Sequence, residues 1–321
     1  MAVLDKARYV LDGLRRNFTD TFWWRERFFE YVVGPFHTNV SPTRSDSVRV
    51  MDEDWDTLVL LDACRVDLFE ERVDTSAYDE YRHVTSAGST TREWVRQNFT
   101  GGEYGDTVYV TANPYVSREA GDAFHELYEV WLDDFDDELR TVHPSDVTEA
   151  AIEAHEAHPD KRVVVHYMQP HHPFIGARTL QFAGWQIEGE THGEGDGEAG
   201  GRPRTPWDAL WMGAVSRDEL WEAYGDNLSL VMDSVEELRS AVSGRLVVTS
   251  DHGNLLGERV FPAQIRGYGH PKGIRTPELV EVPWAVADGD DRRRVHAGDA
   301  ESASASEREE MKDRLRDLGY A

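Results

Sequence analysis

Two patterns of apolar residues alternate along the chain. Short runs rich in β-branched residues occupy 57–61, 107–111, 162–168, 245–249 and 280–286, and helical patterns lie between them. Short continuous apolar runs separated by helices predict strands covered on both faces, as in a mainly parallel sheet. The longest helical pattern covers 216–242, with Leu220, Tyr224, Leu228, Val231, Val235, Leu238 and Val242 at steps of four and three. That spacing puts all seven on one helical face and reads as core packing without chemistry. The expected fold class is α/β, a mainly parallel central sheet with helices on both faces.

Two stretches break this alternation. Residues 1–50 read as an appended N-terminal helical arm ending in the polar turn Ser41-Pro42-Thr43-Arg44-Ser45, and 51–321 as the main α/β domain. Within the arm, 22–36 is aromatic-rich but interrupted by Arg25, Glu26, Arg27 and Glu30. It is read as a helix docking on the main domain, with a peripheral membrane contact as the competing reading. Residues 189–204 are rich in Gly and Glu and predict a flexible acidic surface loop.

Charge changes the picture next. The 321 residues include 61 acidic and 34 basic ones, a net of -27, spread along the whole chain. Dispersed acidity suits a protein of halophilic type, kept soluble where salt screens repulsion, better than it suits one partner-binding patch. It argues against nucleic acid, whose phosphates such a surface repels. The single cysteine, Cys64, excludes an intrachain disulfide and a Cys-based zinc cage. No run is long and apolar enough to span a bilayer, and no signal-type run opens the chain, so the expected location is cytoplasmic.

Ligands bind open parallel sheets beyond the carboxyl ends of the strands. The run 57–61 leads into Asp62-Ala63-Cys64-Arg65-Val66-Asp67, the run 162–168 into Gln169-Pro170-His171-His172-Pro173, and the run 245–249 into Ser250-Asp251-His252-Gly253. Several Asp and His side chains on one rim suit a divalent cation such as Mn, Mg, Zn or Ca. Singly, each is as well read as a cap or a turn residue. His166 falls inside its strand and reads as a core histidine, and His172 fits either role. Arg65, Asp67 and Asn113 are weaker candidates, for anion contact or capping.

The segments LVVTSDHGNLLGE, LVLLDACRVDLF, HYMQPHHPF and EEMKDRLRDLGYA, in that family's order along the chain, resemble those of the alkaline phosphatase superfamily, which includes sulfatases and phosphodiesterases. The resemblance runs from about residue 55 to the C-terminus. It implies a metal held by Asp62, Thr91, Asp251 and His252, with His171 and His270 at the ester. It also implies that Thr91, at the start of a helix closing at Thr100-Gly101, is the nucleophile, with Ser89 and Thr90 as rivals. The local alternative is that one of these three hydroxyls is simply an N-cap. A formylglycine motif is lacking, so an unmodified Thr implies phosphate rather than sulfate chemistry. Tyr167 stands where two-metal relatives carry Asp, which leaves one metal expected and a second in doubt. The function so implied is a metal-dependent hydrolase or transferase of phosphate esters, with a glycan or glycerol phosphate among the substrates. The alternatives are a catalytically inactive binding relative, favoured by Tyr167 and by Asn254 where relatives often carry Glu, and a sulfate ester hydrolase with an unconventional nucleophile.

Overall fold

The computed structural model describes residues 15, 18–19, 21–40, 46–180 and 205–298. The acidic segment 189–204 and the C-terminal segment from Glu309 lie outside the described residues.

Eleven strands are described: β1 Thr57–Asp62, β2 Glu80–Thr85, β3 Tyr104–Thr111, β4 Phe124–Glu129, β5 Phe135–Asp136, β6 Thr141–Val142, β7 Arg162–Pro170, β8 Leu246–Ser250, β9 Leu255–Val260, β10 Ile265–Gly269 and β11 Glu281–Ala287. Seven form one sheet in the order β2-β11-β8-β1-β7-β3-β4. β8, β1, β7, β3 and β4 pair in parallel, while β11 runs antiparallel to both β8 and β2. The sheet is mostly parallel, with one reversed strand. β9 and β10 form a separate antiparallel pair, as do β5 and β6.

Alternate residues of each central strand face opposite layers, as the two-residue repeat of a strand requires. Val59, Leu61, Val108, Val110, Val163, Val165 and Val248 pack with the helices Val66–Arg72, Pro144–Ala157 and Arg217–Ala241. Leu58, Leu60, Tyr109, Val164 and Val247 face the helices Thr91–Phe99 and Pro114–Ala120 on the other side. The long helix begins where the sequence places it, at Ser216, whose side chain accepts from Glu219 N while the Glu219 carboxylate accepts from Ser216 N. Its stripe from Leu220 to Leu238 is fully buried.

Near the N-terminus, the helices Thr21–Phe28 and Gly34–Val40 join through one wider turn at Phe29–Val33. Phe29 and Val33 pack against Leu255, Val260, Ile274 and Leu279, so this segment docks beside the β9–β10 hairpin. Tyr31 and Val32, on its outer side, are exposed. Among the described residues no helix is long and apolar enough to cross a membrane.

Candidate metal centre

Four neighbouring strands, β8, β1, β7 and β3, end at one rim. β1 ends on Asp62; β8 is followed by Asp251 and His252, β7 by His171, and β3 by Asn113. One ligand atom each from Asp62, Asp251 and His252 lies within 4.8 Å of the others, and all three residues are buried. His252 Nε2 is 3.4 Å from Asp251 Oδ2 and 3.9 Å from Asp62 Oδ1.

Neighbouring groups aim each of these side chains. Asp251 Oδ1 accepts from the backbone N–H of Ala63 at 3.0 Å and of His252 at 2.9 Å, while Oδ2 is buried with no hydrogen-bond partner. Asp62 Oδ2 accepts from Asn113 Nδ2 at 2.7 Å. His252 Nδ1 is 2.9 Å from the Gly253 carbonyl, an acceptor, so Nδ1 carries the proton and Nε2 the lone pair. Ala63 adopts a left-handed backbone, φ 58°, unusual for a residue with a Cβ, at the turn where its N–H meets Asp251. Ser250 Oγ ties the two loops together, accepting from Cys64 N at 2.8 Å and donating to His252 O at 2.6 Å. The glycine after Asp251-His252 has a steric reason: a Cβ on Gly253 would run into the Glu278 carbonyl.

Thr91 is the first residue of its helix, and its Oγ1 lies 3.3 Å from His252 Nε2. The two rival hydroxyls have other partners. Thr90 is the N-cap, accepting from Glu93 N at 3.2 Å. Ser89 Oγ contacts Glu93 Oε2 and the Pro271 carbonyl and accepts from Gly273 N. Burial opposes ionisation of Asp251, while the Ala63 N–H and the Thr91 hydroxyl favour it.

Two buried carboxylates and an imidazole fit a divalent cation. Carboxylates so close repel one another, and Asp251 Oδ2 has no protein donor. Carboxylate and imidazole together suit Zn, Mn or Mg.

Beside this group stand His270 and His171, with ring centroids 4.4 Å from His252 to His270 and 5.2 Å from His270 to His171. The structure places Asp62, Thr91, His171, Asp251, His252 and His270 at this one rim. His172 stacks 4.4 Å from His171 and turns toward Trp207; burial, then His171 and His270, push its imidazole far below the usual range. His166 lies in the core with Nδ1 3.0 Å from the Tyr109 hydroxyl, and burial pushes it down to about 4. Tyr167, at the position of the missing Asp, faces the helical layer and bonds Thr148 Oγ1 at 2.7 Å. Among the described residues, Asp62, Asp251 and His252 are the one group suited to a metal.

Sequence reading gave two residues other roles: Asn254 as a departure favouring an inactive relative, and Tyr224 as core packing. Asn254 Oδ1 is 2.8 Å from His270 Nδ1, so this residue holds an imidazole of the site. Tyr224, read as core stripe without chemistry, sends its hydroxyl to the Ala63 carbonyl and sits 3.4 Å from Asn254 Nδ2. A phenol within an otherwise aliphatic stripe was the available signal, since a buried hydroxyl needs a partner. Arg65, by contrast, is turned away from the rim, toward Asp67, Glu258 and the Asn254 carbonyl.

No protein-family model and no curated protein matches this chain. Among solved structures it is similar to the C-terminal periplasmic domain of the phosphoethanolamine transferase EptC from Campylobacter jejuni, at 16% identity over 73% of this chain and 78% of that one, TM-score 0.45. It is similar to the lipoteichoic acid synthase LtaP from Listeria monocytogenes, at 11% identity over 84% of this chain and 72% of that one, TM-score 0.43. It is also similar to a protein in the alkaline phosphatase superfamily from Vibrio parahaemolyticus, at 12% identity over 84% and 70%, TM-score 0.37. These are likenesses of chain path at low identity, and the chemistry of the site follows from this chain's own residues.

Proposed function

We propose that this protein is a metal-dependent hydrolase or transferase of phosphate esters in which Thr91 is the nucleophile. The observation that carries this reading is the place of the Thr91 hydroxyl, 3.3 Å from His252 Nε2 at the edge of the Asp62–Asp251–His252 group. A hydroxyl at the first residue of a helix also faces the positive end of the helix dipole, where an ester oxyanion is favoured. Asp62, Asp251 and His252 would hold the metal, with Thr91 as a further ligand. A cation bound there would stabilise charge on the threonine oxygen and on the non-bridging ester oxygens.

The residues support two in-line displacements. Thr91 Oγ1 bonds to phosphorus as its proton passes through solvent to the departing alcohol oxygen, whose bond to phosphorus breaks; water or an acceptor alcohol then displaces Thr91, losing a proton as Thr91 Oγ1 regains one. The guanidiniums around the site are held by carboxylates: Arg65 by Asp67 and Glu258, Arg92 by Glu119, Arg275 by Glu93. With these cations engaged, a singly charged phosphodiester, such as one bearing glycerol phosphate or a glycan, is favoured over a dianionic monoester.

A panel of bis(4-nitrophenyl) phosphate, 4-nitrophenyl phosphate and 4-nitrophenyl sulfate, run with Mn, Mg, Zn or Ca, tests this reading. The diester should be turned over fastest, and Thr91→Ala should abolish turnover. Cleavage of the sulfate alone, or full activity in Thr91→Ala, would overturn the proposal.

A further inference from the structure

His252, His171 and His270 each have Nδ1 against an oxygen: the Gly253 carbonyl at 2.9 Å, the His172 carbonyl at 2.7 Å and Asn254 Oδ1 at 2.8 Å. The first two acceptors are backbone. The third is a side-chain amide, which is ambiguous on its own, because either end of an Asn can face a ring nitrogen.

The surroundings remove that ambiguity. The Ala63 carbonyl can only accept, so the Tyr224 hydroxyl beside it must donate. Burial holds the Tyr224 phenol well above its ordinary pKa, so it keeps its proton. With its hydrogen directed at Ala63, the phenol oxygen can only accept from Asn254, which places the Asn254 amide nitrogen toward Tyr224 and Oδ1 toward His270. Arg65 Nη1 fixes the backbone of the same residue by donating to the Asn254 carbonyl at 2.7 Å. Asn254 and Tyr224 are fully buried, so water does not compete for these bonds.

We propose that the chain of bonds from the Ala63 carbonyl through Tyr224 and Asn254 is a tautomer lock on His270, keeping the proton on Nδ1 and the lone pair on Nε2. Asn254 and Tyr224 are then positioning residues, and Asn254 is a working part of the site rather than a sign of its decay. This rests on the proposed phosphate-ester reaction for its consequence, though not for its geometry. In the second displacement His270 Nε2 then accepts the hydrogen bond of the incoming water or alcohol and aims its oxygen at phosphorus, on the face opposite Thr91.

Long-range ¹H–¹⁵N spectra of histidine-labelled protein report the tautomer, with the His270 signals assigned by their loss in His270→Gln. Wild type should show His270 with the proton on Nδ1. Asn254→Leu should give a mixed or reversed tautomer and lower kcat for bis(4-nitrophenyl) phosphate by about 10–100-fold, with KM and zinc affinity little changed. Asn254→Asp keeps an acceptor at Nδ1 and should restore the tautomer. Tyr224→Phe, which removes only a hydroxyl, should weaken the lock and serves if Asn254→Leu does not fold. An unchanged His270 tautomer in both Asn254→Leu and Tyr224→Phe would overturn the proposal. Should wild type turn over none of the esters, the proposed reaction falls while the spectra still decide the lock.

Discussion

Asp251→Asn should reverse its stability ranking against wild type between metal-free and metal-loaded protein. Ligand oxygens of Asp62 and Asp251 lie no more than 4.8 Å apart. At an effective dielectric of about 20, two unit charges at that separation repel by about 3.5 kcal/mol. An Asn side chain removes one charge and keeps an oxygen for the two backbone N–H groups of Ala63 and His252, whose bonds weaken by about 1 kcal/mol on losing the charge. Without metal the variant should therefore be the more stable by about 2 kcal/mol, or about 4 °C in melting temperature for a domain of this size. With metal at a hundred times its Kd, wild type should gain about 2.7 kcal/mol and the variant almost nothing. Thermal unfolding in EDTA and across a zinc or manganese titration reads both halves. If the variant melts below wild type in EDTA, or if metal raises the two melting temperatures equally, these carboxylates do not share a cation and the site has been misread.

Three further outcomes follow from named contacts. Thr90→Ala, which removes the N-cap of the Thr91–Phe99 helix, should lower stability by about 1 kcal/mol while leaving ester turnover within a few-fold, and Thr91→Ala should do the opposite; urea melts beside rate assays separate them. Asn113→Ala removes the amide donor to Asp62 Oδ2 and should weaken metal affinity by about 10–100-fold, read by competition with a chromogenic chelator. His155, buried and beside Arg293, is pushed down to about 3, first by burial and then by that guanidinium. Its folded pKa lies below its unfolded one, so its stabilising contribution is complete above about pH 6.5 and is lost as pH falls from there toward 3, at up to about 1.4 kcal/mol per pH unit. In His155→Gln, urea midpoints measured from pH 7 to 4 should fall less steeply than in wild type.

Much of the fold is legible in the chain, and the part that is not has physical causes. β1, β3, β7, β8 and β11 are apolar runs because both faces of each strand are covered, and sequence places all five. β2 and β4 close the sheet at its two edges and carry Glu80, Arg82 and His83 or His125, Glu126 and Glu129, so no apolar run marks them. The reversal of β11 is equally invisible, since a buried run reads the same in either direction. Asp62, Asp251 and His252 are found because they follow such runs directly. Asn254 and Tyr224 lie 30 residues apart and meet only through packing, which no local pattern records.

The three hydroxyls before the helix show what structure adds to such a reading. Ser89, Thr90 and Thr91 are consecutive and chemically alike, and a helix start makes capping the ordinary explanation for any one of them. A cap uses the side-chain oxygen to satisfy an N–H of the first turn, so a capping hydroxyl is spent on its own helix. Because Thr90 meets that need and Ser89 is tied to Glu93, Pro271 and Gly273, the hydroxyl one residue further along can point to the sheet rim instead. A nucleophile at the first residue of a helix would depend on a different residue for the cap; Thr90 takes the cap and leaves Thr91 for the proposed role. The same division holds at Asp251, whose Oδ1 is occupied by backbone N–H groups while Oδ2 is left for a cation. The reactive atoms of this rim are those that the local structure does not consume.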